Sequence, residues 1–343
     1  MKYLALLGLL LAASARSDLV ILQYHHVDTA TPATTSISPA DFERHLQLLA
    51  SLNKTIVDLP QAMAALRQGK SLPDNAVAIT FDDAYESIYR NAFPKLARRH
   101  WPFTIFVNPS AVDAEYDGVI RWHQLREMQQ QGATIANHSM DHPYLIQRPK
   151  NLSLDQWLTQ QVETAEQRIK QEMGHSDRLL AYPYGEYSLE ITRWLKAHDY
   201  LAFGQHSGAV SKASLWQAIP RFPAAGDYSD PDTLNDKLRT LAMPVSDSSQ
   251  VDPALGHENP PTLVLTIESA DIKPDSLRCF AGGEGQISHQ TSVSGKTITL
   301  QTRAHHPIIQ GRSRYNCTAP SISKSGYFYW YSQLWINTSV ENR

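Results

Sequence analysis

The stretch AVAITFDDAYES, residues 76–87, combines an apolar run with two adjacent carboxylates, Asp82 and Asp83. The run AVAIT (76–80) shows no alternation of polar and apolar residues, which is typical of a strand buried on both faces of a sheet. Two acids directly after such a strand lie at its carboxyl end, where barrels of parallel strands carry their chemistry. The stretch therefore predicts a parallel sheet and a site at its edge.

Apolar runs alternate with helical patterns from Leu19 to about Arg239. Further strands are predicted at 19–27, 103–109, 133–139, 178–185, 201–208 and 215–222, and helices at 38–52, 85–100, 122–132, 154–174 and 188–200. Repeated strand–helix units with continuous apolar strands indicate an α/β fold, a parallel sheet covered by helices. At least six such units in about 220 residues suggest a barrel.

The composition changes after about Leu241. The segment 243–261 is rich in Pro, Ser and Asp and reads as a linker. The segment 262–343 contains β-rich runs without a helical pattern, which predicts a small all-β sandwich domain. Together with a cleaved leader at 1–15, this leaves residues 16–242 for the barrel.

The N-terminal stretch MKYLALLGLLLAASARS has the composition of a secretory signal peptide. Lys2 precedes an apolar run, and Ala13 and Ala15 follow the A-x-A cleavage pattern. The run is too short for a membrane span, and no later segment reaches about 18 consecutive apolar residues. We therefore expect an exported protein, periplasmic or secreted, with an uncleaved anchor as the alternative.

Charge and cysteine content narrow the class further. The net charge is -3 and no basic cluster stands out, so nucleic acid is a poor candidate partner. Both cysteines, Cys279 and Cys317, lie near the C-terminus. In an oxidising compartment they most simply form one disulfide, and two buried free thiols are the alternative.

A second polar cluster, NHSMDHP (137–143), follows another predicted strand and supplies His138 and His142. Pro143 disfavours a helical conformation for His142, so the pair belongs to a strand end and the turn after it. With one acid of the doublet, the histidines form a set that suits a divalent ion, most simply Zn²⁺, with Co²⁺ or Ni²⁺ as alternatives. The other acid could accept a proton from water activated by the ion. As alternatives, the two acids could cap the helix that follows, and the histidines could be structural residues of the loop.

Three motifs occur in the order TFDDAY (80–85), NHSMDH (137–142) and AYPYGEY (181–187). Together they resemble the polysaccharide deacetylases with the NodB homology domain, carbohydrate esterase family four, over about residues 18–225. The sequences of these motifs are most similar to those of the poly-N-acetylglucosamine deacetylase branch. The resemblance implies a distorted (β/α)7 barrel that removes N- or O-acetyl groups from polysaccharides with a divalent metal ion.

The same resemblance implies roles for individual residues. Asp82 matches the catalytic base, whereas Asp83, His138 and His142 match the metal ligands. Ser139 stands where the family places a hydroxyl residue that supports the loop.

The third motif implies an oxyanion site but departs from the family pattern. The Tyr184 amide matches the oxyanion donor, since Pro183 has no N–H. The arginine that common members place just before the motif is absent, because Leu180 and Ala181 stand there. Arg221 in AIPRF is the replacement that we expect, and a structural ion pair is its alternative role.

Many members of the family supply the general acid as a histidine in a late L-x-L-H motif, and this sequence has no clear copy of that motif. The run LQYHHV (22–27) resembles the first strand of the poly-N-acetylglucosamine deacetylase branch, which implies His25 as the acid. His26 alternates to the other side of the strand. His206 in FGQHSG is the alternative acid, and a purely structural role for His25 also stays open.

Aromatic side chains near the predicted loops could stack on sugar rings. They are Trp122, Tyr144, Tyr184 and Tyr187, for which core or rim packing is the alternative. The aromatic run 327–336 in the C-terminal domain could likewise form a sugar platform or an interface with the barrel.

The predicted function is hydrolysis of N-acetyl groups on an N-acetylglucosamine-containing polysaccharide, with a water on the metal as nucleophile. An O-acetyl esterase acting on a xylan-like glycan and a non-catalytic glycan-binding protein are the alternatives. We expect a polysaccharide or oligosaccharide substrate as partner, with neither nucleic acid nor a stable membrane span.

Overall fold

The computed structural model describes residues 18–246, 251–268 and 270–340. The predicted signal peptide, residues 1–15, lies outside these ranges. Within them, no helix is both long and apolar enough to cross a bilayer. The described residues form two parts. The first is an α/β part with a parallel sheet, and the second is a C-terminal part made of antiparallel sheets.

Most elements of the α/β part are short. Its strands are β1 (Val20–Tyr24), β2 (His26–Val27), β3 (Ser36–Ile37), β4 (Thr55–Ile56), β5 (Ala76–Asp82), β6 (Phe103–Val107), β7 (Ala133–Asn137), β8 (Leu179–Ala181), β9 (Leu201–Phe203), β10 (Phe222–Pro223) and β11 (Thr240–Ala242). Its helices are α1 (Pro39–Ser51), α2 (Leu59–Arg67), α3 (Phe93–Ala97), α4 (Pro109–Asp113), α5 (Trp122–Gln130), α6 (Leu154–Leu158), α7 (Thr164–Met173), α8 (Leu189–Ala197) and α9 (Pro231–Lys237).

The parallel sheet curls into a barrel. Its strand order is β10-β1-β5-β6-β7-β8-β9, and β4 pairs with the start of β5. The segment 219–223 joins the two edges, because Ile219 bridges to Phe203 in β9 and Phe222 pairs with Leu22 in β1. The predicted strand 215–222 is therefore reduced to a bridge and the two residues of β10. The predicted distorted (β/α)7 barrel is confirmed.

Local sequence explains the elements that frame the site. Every residue of β5 is buried, as its unbroken apolar run predicts. Helix α1 begins after Ser38, whose side chain accepts a hydrogen bond from the amide of Asp41, and Pro39 occupies its first turn. Its buried residues Phe42 and Leu46 lie one turn apart and pack against the core of the barrel.

Two predicted helices differ in detail from the expectation. The helix expected over 85–100 starts with a π-helical stretch at 88–92 before α3. The helix expected over 154–174 contains another at 159–163, between α6 and α7. The second helix ends at Gly174 in the left-handed conformation, as the sequence predicts.

The C-terminal part is the predicted all-β sandwich. Its strands are β12 (Thr262–Glu268), β13 (Arg278–Ala281), β14 (Gly285–Ile287), β15 (His289–Ser294), β16 (Thr297–Arg303), β17 (Arg312–Pro320) and β18 (Phe328–Ile336). They form the sheets β11-β18-β17-β13-β14 and β12-β16-β15, whose inner faces share one apolar core. The predicted disulfide is confirmed, and it joins Cys279 in β13 to Cys317 in β17.

The sandwich is docked against the barrel through β18. Strand β11 follows the last barrel helix and pairs in parallel with β18, where Thr240 lies opposite Phe328. The ring of Trp330 meets the ring of Phe222 edge to face at 5.6 Å. Ile336 belongs to a buried cluster that includes Tyr182 of the barrel. One sheet therefore contains strands from both sides of the predicted linker.

Candidate active site

The polar motifs meet where neighbouring barrel strands end. Asp82 is the last residue of β5, His138 follows β7, and Tyr184 lies three residues beyond β8. The backbone here is unusual, because several non-glycine residues have a left-handed conformation. These residues are Asp83 (φ 70), Ala84 (φ 52), Ser139 (φ 62), His142 (φ 55) and Tyr184 (φ 59). Left-handed non-glycine residues are uncommon and concentrate at functional sites.

Asp83, His138 and His142 form a compact cluster. Asp83 Oδ1 lies 3.3 Å from His138 Nε2 and 3.2 Å from His142 Nε2. All three ligand atoms lie within 4.8 Å of one another. Tetrahedral ligands about 2.1 Å from a zinc ion would lie roughly 3.4 Å apart, so the cluster has the size of such a site.

The histidine rings are oriented to present lone pairs to this cluster. His138 Nδ1 lies 2.8 Å from the carbonyl oxygen of Ala181, to which it can only donate. In the neutral ring, Nε2 of His138 is then the unprotonated nitrogen, the arrangement found in metal-binding histidines. Burial lowers the pKa of His142 to about 4, which keeps that ring neutral at ordinary pH. The donor set therefore fits a divalent cation.

Ser139 supports the histidine loop through its backbone. Its amide donates to Asn137 Oδ1 at 2.8 Å, and Asn137 Nδ2 donates to the Val162 carbonyl at 2.9 Å. The Ser139 hydroxyl is buried and makes no hydrogen bond with any described residue. The support that the structure shows therefore comes from the amide of Ser139 and not from its hydroxyl.

Asp82 is fully buried and is held by two neighbours. Arg221 donates from Nη1 to Oδ1 at 2.7 Å and from Nη2 to Oδ2 at 2.8 Å. Gln23 donates from Nε2 to Oδ2 at 2.7 Å. Burial alone would raise the pKa of Asp82, but Arg221, with weaker help from His138 and His25, lowers it to about 2. Asp82 is therefore ionised at any ordinary pH.

Arg221 is itself locked in place. Its side chain is completely buried, and Nε donates to the Gly204 carbonyl at 3.0 Å. Its guanidinium also stacks 5.2 Å from the centre of the Phe106 ring. A planar, fully ordered guanidinium fixes both oxygens of the carboxylate that it binds. The structure thus places Arg221, the replacement arginine expected from the sequence, directly beside Asp82.

The candidate general acids lie in different surroundings. His25 is partly exposed, and its Nε2 lies 3.9 Å from Asp82 Oδ2. His26 turns away and stacks on Tyr85 at 3.6 Å. His206 is buried, its backbone carbonyl accepts from the Arg221 amide, and burial lowers its pKa to about 4. The geometry places His25, rather than its alternative, next to the carboxylate.

Tyr184 occupies a tight turn beside the histidines. Its ring stacks on Tyr144 at 3.9 Å and meets the His142 ring edge on at 4.6 Å. The next residue must be glycine, because a Cβ at Gly185 would come within 2.9 Å of the Gln205 backbone nitrogen and closer still to its side chain. Close packing therefore fixes the turn whose amide is the candidate oxyanion donor.

The remaining predicted aromatics do not line this cluster. Tyr187 is buried and stacks on Tyr182 at 5.1 Å. The Trp122 indole donates to Asp113 at 2.7 Å.

The sequence did not single out Gln23, although a polar residue within the apolar strand VILQY was an available signal.

Part of this barrel is similar to a known protein family. The pattern that defines the polysaccharide deacetylases matches residues 69–203, which contain the acid doublet and both histidines and end with β9. Residues 69–203, within the barrel, are therefore similar to the polysaccharide deacetylases.

Individual relatives are similar over a larger stretch. YxkH of Bacillus subtilis, which carries the family's name, is 27% identical over 208 residues, 60% of this chain and 71% of that protein. The poly-beta-1,6-N-acetyl-D-glucosamine N-deacetylase of Escherichia coli K12 is 25% identical over 61% of this chain, but only 37% of that protein is covered. The Staphylococcus epidermidis enzyme of the same name is 27% identical over 56% of this chain and 69% of its own length.

Solved structures share the fold. IcaB from Ammonifex degensii superposes with a TM-score of 0.57 at 26% identity, covering 64% of this chain and 96% of that one. The deacetylase PplD of Streptococcus pyogenes has a TM-score of 0.58 at 21% identity and covers 65% of this chain and 99% of its own. Both matches leave about a third of this chain uncovered.

Proposed function

We propose that this protein removes N-acetyl groups from a polysaccharide that contains N-acetylglucosamine, with the help of one divalent metal ion. One observation carries the proposal. A fully buried, ionised Asp82 lies next to a separate cluster of Asp83, His138 and His142 at the same strand ends. The doublet thus divides into a carboxylate held by an arginine and a carboxylate held by histidines.

Asp83, His138 and His142 would hold the ion, most simply Zn²⁺. When bound there, such an ion polarises a carbonyl oxygen and makes a water more acidic. Three protein ligands leave further positions open, as catalytic zinc sites require.

Asp82 acts as the base that accepts a proton from the attacking water. A carboxylate with a pKa of about 2 is always ready to accept, but it holds a proton weakly at neutral pH. The proton must therefore move on. His25 Nε2, 3.9 Å from Asp82 Oδ2, is close enough to receive it with a small adjustment of either side chain. The two residues can then work as one relay.

His25 delivers a proton to the leaving nitrogen. As the water oxygen bonds to the acetyl carbon, the carbonyl oxygen gains negative charge, and the Tyr184 amide donates a hydrogen bond to it. The C–N bond then breaks, its electron pair stays on nitrogen, and His25 protonates that nitrogen. Acetate and a free amino sugar leave.

The substrate class rests on the relatives. Three proteins cited above share a quarter of their aligned residues with this chain, and two of them are named for poly-beta-1,6-N-acetyl-D-glucosamine. We therefore propose that polymer or a related glycan as substrate. Export after cleavage at residue 15 and the division into barrel (16–242), linker (243–261) and sandwich (262–343) belong to the same proposal.

A substrate panel tests the proposal. The Zn²⁺-loaded protein is incubated with poly-beta-1,6-N-acetylglucosamine oligomers, chitin oligomers and O-acetylated xylan, and acetate and free amine are both quantified. We expect acetate and amine in equal amounts from an N-acetylglucosamine oligomer. Acetate without amine, from xylan alone, would instead identify an esterase. Binding of oligomers without any acetate release would identify a non-catalytic glycan-binding protein.

A further inference from the structure

An arginine of the β sandwich reaches the turn that follows β8 in the barrel. Arg312, the first residue of β17, donates from Nη1 to the Tyr184 carbonyl oxygen at 2.7 Å. Its guanidinium lies 5.9 Å from the centre of the Tyr184 ring. The residue whose amide is the candidate oxyanion donor is therefore held by a side chain from outside the barrel.

The same arginine faces a buried carboxylate in the turn. Arg312 Nε lies 3.7 Å from Glu186 Oε1, and the Glu186 side chain is completely buried. A buried carboxylate is costly unless positive charge or hydrogen bonds compensate it. Arg312 thus contacts the residues on both sides of Gly185. It donates a hydrogen bond to the backbone carbonyl of Tyr184, and its guanidinium faces the carboxylate of Glu186.

The position of Arg312 is fixed by the docking of the sandwich. Arg312 in β17 lies opposite Ile336 in β18, and β18 pairs with β11 at the end of the barrel. Ile336 and Leu334 pack in the buried cluster that contains Leu180 of β8. Strand β8 packs against β18, and β18 pairs with the strand that carries Arg312.

The turn needs such support because its conformation is unfavourable for its sequence. Tyr184 has φ 59 and ψ 3, a left-handed conformation in a residue with a bulky side chain. Strained residues of this kind persist only where surrounding contacts hold them. The carbonyl bonded to Arg312 restrains the rotation about ψ of Tyr184, and with it the residue that bears the candidate oxyanion amide.

We propose that the β sandwich completes the active site, and that Arg312 is the positioning residue through which it does so. Arg312 holds the 183–186 turn so that the Tyr184 amide stays aligned with the oxyanion. The sandwich is then a working part of the deacetylase and not an independent sugar-binding module. This inference rests on the proposed function for the role of the Tyr184 amide.

Kinetics of matched arginine variants test the inference. The full chain is compared with Arg312→Ala, Arg312→Lys and the control Arg303→Ala. Arg303 lies in the other sheet of the sandwich and forms an exposed pair with Glu258 at 3.3 Å. Because removal of an oxyanion donor costs about 10²–10³-fold in kcat, we expect misalignment to lower kcat by about 10-fold or more in Arg312→Ala. KM should change less than about 2-fold, since the interaction serves the transition state.

The companion variants separate positioning from other roles. Arg312→Lys keeps a cation that reaches the carbonyl with a single flexible donor, so it should recover part of kcat. Arg303→Ala should behave like the unmodified protein. An increased KM with unchanged kcat would make Arg312 a substrate contact, and unchanged constants would make it merely structural. Either result overturns the inference.

A readout without substrate keeps this test separate from the proposed function. Amide hydrogen exchange is measured over the peptide spanning 183–187 in each variant, with thermal unfolding as a check on folding. Faster exchange there in Arg312→Ala, with unaltered exchange in Arg303→Ala, supports the positioning role even if the unmodified protein releases no acetate. Unaltered exchange in Arg312→Ala contradicts it. If that variant fails to fold, Arg312→Lys replaces it in both measurements.

Discussion

Arg221 and Asp82 form a two-point ion pair in the interior of the barrel, although 139 residues separate them in sequence. Both side chains are fully buried. The pair links the segment that closes the barrel to the strand that carries the acid doublet. Because Gln23 of β1 holds the same carboxylate, two strands and the segment just before β10 converge on one side chain.

Loss of the arginine should impair both activity and stability. In Arg221→Gln, burial is no longer opposed by a full charge, so the pKa of Asp82 should rise and the carboxylate should lose its fixed orientation. We expect kcat to fall by about 10²-fold or more, since base catalysis contributes about 10²–10⁴-fold. The free energy of unfolding should fall by about 3–5 kcal/mol, as for a buried ion pair with one partner removed.

Urea unfolding and acetate release across pH measure these effects. Arg67→Gln is the matched control, because Arg67 pairs with Asp199 at 2.9 Å on the surface. Exposed pairs contribute about 1 kcal/mol or less. Equal losses of stability in the two variants would disprove the special role of the buried pair.

Metal affinity should depend on the histidine cluster. We expect one Zn²⁺ per chain by calorimetric titration, and His142→Ala should weaken binding by at least about 100-fold because it removes one of three protein ligands. His175→Ala is the control, since His175 is exposed and lies outside the cluster. Unaltered affinity in His142→Ala would show that the ion binds elsewhere.

Stability should decline in mild acid because of His45. This buried residue receives a hydrogen bond at Nδ1 from the Tyr24 hydroxyl (3.0 Å) and donates from Nε2 to the Ser229 carbonyl (2.7 Å). Burial lowers its pKa from 6.5 to about 4, against the weaker opposing effect of the Ser229 bond. The folded protein therefore binds fewer protons than the unfolded chain between these pH values. Stability is full above about pH 6.5 and is lost by up to about 3 kcal/mol as the pH falls to 4.

The variant His45→Gln isolates this contribution. Two other histidines with a pKa lowered to about 4, the half-buried His142 and the buried His206, titrate in the same window. The difference in unfolding free energy between the two proteins should therefore be measured at several pH values. It should shrink as the pH falls from 6.5 to 4, and a constant difference would refute the assignment.

The disulfide should stabilise the sandwich. Cys279 and Cys317 are 38 residues apart, and closing a loop of that length is worth about 4 kcal/mol in the chain-entropy model. We expect Cys279→Ser with Cys317→Ser to lower the free energy of unfolding by about that amount. Because Arg312 belongs to the same sheet, acetate release should decline at a lower temperature in this variant. Identical thermal profiles would argue against both effects.

Local pattern was sufficient for the barrel and for most of the site. Unbroken apolar runs mark its strands, and Asp82, Asp83 and His138 lie at or directly after the ends of those strands, so their convergence could be predicted. Arg221 was found because a family position stood empty. The positions of these residues can be predicted because each lies next to a recognisable strand end.

Contacts that depend on long-range docking could not be read in the same way. Nothing in the sequence around Arg312 indicates that β17 reaches the turn after β8. The strands β13 to β15 are short or exposed, so their alternation is weak, and they were not predicted. The amphipathic helix α2, with a proline in its first turn, was overlooked. Its signals were local and available.

Acetate release by the Zn²⁺-loaded protein and by Asp82→Asn tests whether the protein is a deacetylase with Asp82 as its base. The substrate is a poly-beta-1,6-N-acetylglucosamine oligomer, and Zn²⁺ binding is measured on both proteins. We expect release by the unmodified protein and a rate about 10²–10⁴-fold lower in Asp82→Asn, with Zn²⁺ still bound. Equal rates in the two proteins, or no release by the unmodified protein, would contradict this expectation.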